Sequence, residues 1–182
     1  MIKTVRQHFS LLALLLSLAM IMPAFTSTIL PAAAQEALST GRSTGLPVPR
    51  FVSIDQRQTT VNVRFGPGQQ YPINWVFTRP NVPLKIIAEF DNWRKVEDYE
   101  GAEGWIASRL LSGARTIMVQ GAIRDLRRTA DNQARVLLHV EPGVIGSLLA
   151  CEDSWCRVEI EGQRGWLQRG EFWGTLPGET VR

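Results

Sequence analysis

At 182 residues the chain can hold one ordinary domain or two small ones. Its net charge of +3 suggests nucleic acid, but two of the 20 basic residues, Lys3 and Arg6, sit in a segment that reads as an export signal; without it 18 basic residues face 17 acidic ones, a balance of +1. Nucleic acid is thereby set aside as a partner, and the lack of any P-loop, dinucleotide fingerprint or zinc spacing sets aside a metal or other cofactor.

In chain order, Lys3 and Arg6 precede an apolar run over residues 11–22, then Pro23, then Pro31-Ala32-Ala33-Ala34-Gln35. A basic start, an apolar middle and small residues at 32 and 34 predict a secretory signal peptide over residues 1–34, cleaved after Ala34. An uncleaved anchor is the competing reading, but the uninterrupted run is about half of the roughly 20 residues that cross a bilayer. The expected product is exported, periplasmic or alternatively extracellular, and touches membrane only through the signal peptide. Residues 35–49 are small, polar and proline-bearing, and read as a flexible leader.

Phe51-Val52-Ser53-Ile54 begins the first strand. Val61-Asn62-Val63-Arg64 alternates apolar and polar residues and runs into Gly66-Pro67-Gly68, a strong turn signal. The glycines read as positions of positive φ, with proline stiffening the loop between them. Strands follow at Ile73 to Phe77 and Leu84 to Phe90, the second with Leu84, Ile86, Ala88 and Phe90 on one face. Trp93 to Glu97 returns, Gly104-Trp105-Ile106 follows, residues 107–111 make a tight turn, and Thr116 to Val119 is expected to close the unit. So many short strands between turns indicate a small all-β barrel.

A degenerate copy follows. Trp93-x-x-Val96 recurs as Trp155-x-x-Val158, and Gly104-Trp105-Ile106 as Gly165-Trp166-Leu167. Extending the register sets Val63-Arg64 against Leu126-Arg127. The expected units cover residues 50–119 and 120–175, with 176–182 as a frayed tail. Cys151 and Cys156 bracket Glu152-Asp153-Ser154-Trp155; at the neck of a hairpin they are placed for a disulfide, while as a metal site they lack further ligands. Trp105 and Trp166 are expected as buried rings, each following a glycine.

These landmarks resemble the bacterial Src-homology-3-like family, whose members open with an N-V-R-x-G-P-G stretch and close with a Trp hairpin and a Gly-Trp strand. Here they read Asn62-Val63-Arg64-Phe65-Gly66-Pro67-Gly68, Trp93-Arg94-Lys95-Val96 and Gly104-Trp105-Ile106. The second unit matches through Trp155, Val158, Gly165 and Trp166 and departs where Arg128-Thr129-Ala130-Asp131 replaces the Gly-Pro-Gly loop. The resemblance implies two tandem small SH3-like β-barrels with a shallow groove between early loops. The disulfide is expected to compensate for a looser first half in unit two.

Catalysis finds little support. His139 is the sole histidine outside the signal segment, and bridged cysteines leave no thiolate nucleophile. Binding is the stronger class. Phe65, Tyr71 and Trp75 flank the Gly-Pro-Gly loop, and Trp93 begins a hairpin that can face it; such an aromatic groove suits an extended peptide. The same rings would serve equally as barrel core. For an exported chain the resemblance implies a non-catalytic cell-envelope module, with peptidoglycan stem peptides as ligand. The alternative is an adaptor recognising a peptide of an envelope protein.

Overall fold

The structure, a computed structural model, describes residues 43–182. The expected signal peptide and residues 35–42 of the leader lie outside the described residues. The first sheet comprises β1 (Arg50–Ile54), β2 (Val61–Arg64), β3 (Ile73–Phe77), β4 (Pro83–Phe90), β5 (Trp93–Glu97), β6 (Glu103–Ala107) and β7 (Leu111–Ser112), ordered β3-β2-β6-β5-β4-β1-β7. The second comprises β8 (Thr116–Val119), β9 (Arg124–Arg127), β10 (Val136–Val140), β11 (Ile145–Glu152), β12 (Trp155–Ile160), β13 (Gln163–Gln168) and β14 (Phe172–Trp173), ordered β10-β9-β13-β12-β11-β8-β14. The orders match strand for strand, as the all-β tandem requires.

Thr116–Val119 does not close the first sheet. It opens the second, pairing with β11 and β14, while the two-residue β7 closes the first against β1. All four β8 residues are buried because cores press on both faces. Ile117 and Val119 join the second core, whereas Met118 enters the first, among Ile54, Leu84 and Ile86. The Thr116 hydroxyl donates to the Asn81 carbonyl at 2.8 Å and lies 3.1 Å from Ser53 Oγ. Trp173 completes the junction: its Nε1 donates to the Pro83 carbonyl at 3.3 Å, and its ring meets Phe51 edge-on at 5.0 Å. The two units thus share apolar and polar contacts over a strand buried on both sides.

Both tryptophans of the Gly-Trp pairs lie half-buried on the outer face, not in the core. The glycine is the inward residue of each pair. A Cβ on Gly104 would stand 2.4 Å from Val63 Cγ1, and one on Gly165 would stand 2.8 Å from the Arg127 carbonyl and 2.6 Å from Leu126 Cγ. Period-two alternation then sends each ring outward.

Neither end of the described chain is loose. The register of β4 shifts between Ile86 and Ala88, which breaks the expected single face and turns Glu89 inward, its side chain 3% exposed. There it ion-pairs with Arg50 and with Arg94 Nε (3.2 Å), and it accepts from the Thr44 amide (2.7 Å) and the Ser43 hydroxyl (3.0 Å). The end of the leader is therefore tied down. At the other end the Cys151 amide donates to the Val181 carbonyl at 2.9 Å, and Arg115 pairs with Glu179 at 2.6 Å, so the expected frayed tail is docked. The Cys151–Cys156 disulfide is formed, with both residues fully buried. It occupies the place in the β11–β12 hairpin that the Glu89–Arg94 ion pair occupies in β4–β5.

Burial pushes the Glu89 carboxyl up, but hydrogen bonds from Arg50, Thr44 and Ser43 outweigh it and hold the group at about 2, below its ordinary 4.5. A depressed carboxylate stabilises above its unfolded value and loses that contribution as the pH falls through the folded one. The loss should run from pH 4.5 down to about 2 and amount to on the order of 2 kcal/mol. Glu89→Gln should flatten this acid limb in urea titrations at pH 3 and pH 7. An unchanged slope would assign the limb to other groups.

Candidate functional site

A groove of about 920 Å³ runs along the outer face of the first unit. Asn62 and Arg64 form one wall, because alternation along β2 sends Val61 and Val63 into the core and their neighbours out. Gln69 and Gln70 extend that wall from the loop. Trp93 and Ala107, direct cross-strand partners, lie opposite, followed by Arg109 on the single-turn 3-10 segment Ser108–Leu110. The Ser108 amide donates to the Asn92 carbonyl at 2.7 Å, which fixes that turn to the hairpin tip. Two arginines and no carboxylate line the groove. The side-chain amides of Asn62, Gln69, Gln70 and Asn92 make no hydrogen bond among the described residues, and neither does the Arg109 guanidinium. Such groups suit a ligand that supplies amide and carboxylate partners.

The loop itself is held by Arg64, whose Nη1 donates to the Tyr71 carbonyl at 2.7 Å. Gly66 and Gly68 are not at positive φ. Close approach is what demands the first: a Cβ at 66 would stand 2.5 Å from the Tyr71 ring, whereas one at 68 would meet only the movable end of the Gln70 side chain, at 2.2 Å. Pro67 and Gly68 reach the groove as lining.

Of the four aromatics expected at the groove, only Trp93 lines it. Phe65 (63% exposed) and Tyr71 (40%) point to solvent with Ile73 and Val76. Trp75, opposite Val63, packs on the core, edge-on to Phe77 at 6.1 Å. The groove is consequently polar with one aromatic, not aromatic-lined. Its amides and Arg109 escaped the sequence reading because polar loop residues look alike whether or not they converge. The outward phase of Asn62 and Arg64 was the available signal.

The second unit keeps the loop's geometry without its glycines. Arg127 Nη1 donates to the Ala134 carbonyl at 3.0 Å, matching Arg64 on Tyr71. The backbone bonds Arg128 to Arg135, Asp131 to Thr129 and Ala134 to Asp131 repeat Phe65 to Pro72, Gly68 to Gly66 and Tyr71 to Gly68. This half is therefore not looser, and the disulfide has no such deficit to offset. What differs is the groove. Gln168 stands beside Trp155 where Ala107 stands beside Trp93, and its Nε2 donates to Asn132 Oδ1 at 2.6 Å. That bond joins the two walls that stay apart in unit one. His139, exposed, meets Asp125 at 2.9 Å, and Asp125 also takes Arg127 at 2.8 Å.

The sequence profile of the bacterial SH3 domain matches residues 57–113 and again 120–174. Over 125 residues the chain is 23% identical to a putative N-acetylmuramoyl-L-alanine amidase, YrvJ, of Bacillus subtilis strain 168, covering 59% of this chain and 24% of that protein. The chain thus spans about a quarter of its curated relative. Among solved structures, NlpC2 and NlpC1 of Trichomonas vaginalis align over 71% and 74% of this chain and 49% of each of theirs, at 10% identity and a TM-score of 0.34.

Proposed function

Because the chain belongs to the bacterial SH3 domain family, we propose that it is a non-catalytic, exported binding module of the cell envelope whose first unit holds a peptidoglycan stem peptide in the polar groove. One observation carries this reading: four carboxamides and a free guanidinium without internal partners converge with Trp93 on a groove that no carboxylate lines. A stem peptide is extended, rich in amides and ends in a carboxylate, so it offers these groups their missing partners. The amidase relative, by its name, acts on the same class of polymer. Both cysteines are held in the disulfide, so neither is a nucleophile.

An adaptor for an envelope protein is the second reading, favoured by the exposed Phe65, Tyr71, Ile73 and Val76 on and beside the edge strand β3. Co-sedimentation with purified sacculi separates the two. The protein should pellet with the wall, and the Asn62→Ala, Trp93→Ala, Arg109→Ala triple variant should lose binding by roughly tenfold or more. A folded triple variant that still pellets moves the site off the groove. A wild-type protein that stays in solution favours the adaptor.

A further inference from the structure

Two arginines line the unit-one groove, and the second unit shows that they serve different ends. Arg64 is structural: its bond to the Tyr71 carbonyl is repeated by Arg127 on Ala134, in the unit whose groove is bridged shut. Arg109 has no such duty. It is exposed, and its guanidinium has no partner among the described residues. The middle residue of the matching single-turn segment, Arg169–Glu171, is Gly170, so the fold needs no side chain at that position. The neighbouring Arg169 is spent on the carbonyls of Asp153, Leu176 and Glu179, which leaves that turn of the second unit without a free guanidinium. The unit with the open groove is the one that sets a free cation beside it.

The turn that carries Arg109 is fixed on both sides. The Ser108 amide donates to the Asn92 carbonyl at 2.7 Å, and the Leu110 carbonyl accepts from the Asp55 amide at 3.0 Å. The guanidinium is thus presented from a rigid base, beside the carboxamides and Trp93. One free cation among amides, with no carboxylate to neutralise it, suits a ligand with many amides and a single carboxylate rather than a polyanion.

We propose that Arg109 reads the free carboxyl terminus of the bound peptide, so that the groove selects uncrosslinked stem peptides. This rests on the groove reading of the first unit and adds its selectivity. A guanidinium fork matches a planar carboxylate with two parallel hydrogen bonds. A crosslink made through that carboxyl group turns it into an amide, which carries no charge and sets its own N–H donor against the donors of Arg109.

The test is calorimetric titration of the full exported chain with the synthetic stem peptide L-alanyl-γ-D-isoglutaminyl-L-lysyl-D-alanyl-D-alanine, whose terminal carboxylate is its only one, and with the same peptide as its C-terminal amide. The acid should bind roughly tenfold tighter or more, by a margin that shrinks with salt. Arg109→Gln should erase the difference, and Arg109→Lys, which keeps the charge but not the fork, should keep part of it. Circular dichroism checks the fold of both variants. Equal affinity of acid and amide in the wild type, or a preference that survives Arg109→Gln, overturns the proposal and leaves the groove standing. Binding of neither form ends the groove reading and this one with it.

Discussion

Met118→Ala should destabilise both units together, lowering a single unfolding transition by about 2–5 kcal/mol. The residue belongs to the second sheet through β8 yet is buried at 4% exposure in the first unit's core. Removing its thioether leaves a void that neither unit can close without moving the strand they share. Urea unfolding can follow Trp75, Trp93 and Trp105 in one unit and Trp155, Trp166 and Trp173 in the other, using single-tryptophan variants. Their transitions should coincide and shift by the same amount. Met118→Leu, which keeps the volume, should cost less than about 1.5 kcal/mol. Two separate transitions, with only one displaced, would show that the units unfold independently in spite of β8.

The second large effect concerns binding. Grafting the unit-two bridge onto unit one, as Ala107→Gln with Gln69→Asn, should close the groove and reduce sacculus binding by roughly tenfold or more. In unit two the Gln168–Asn132 bond spans the positions that Ala107 and Gln69 line in unit one. Because the graft adds a bond rather than removing one, lost binding with unchanged stability would point to occlusion, not unfolding. Retained binding would falsify the groove as the site.

The elements that were legible in the sequence are those with a one-sided environment. Val61-Asn62-Val63-Arg64 alternates because one face of β2 meets the core and the other meets the groove. The repeat register was legible too: Arg64 and Arg127 make the same bond to the carbonyl seven residues on. Elements with two covered faces were not legible. Thr116–Val119 shows no alternation, and its sheet is decided by distant partners. Glu89 is hidden by the register shift before it, which reverses the face of every later residue in β4. The Gly-Trp pairs misled through size: the large ring was assigned inward, although the buried residue two positions after each glycine, Ile106 or Leu167, shares the glycine's side of the strand. The groove itself was half-visible. One of its arginines, Arg64, and its tryptophan stood among the landmarks, while Arg109 and the amides had no periodicity to mark them.

The matched hairpin positions, an ion pair at Glu89–Arg94 and a disulfide at Cys151–Cys156, also set an order of maturation. The ion pair forms as soon as the first unit folds, whereas the disulfide waits for an oxidant. In a reducing compartment the second hairpin lacks its covalent tie, worth about 2 kcal/mol for so short a loop, and the two units are coupled through β8. The newly made chain is then less stable than the finished one. For the exported chain proposed above, that difference would leave it easier to unfold until the bond closes in an oxidising compartment.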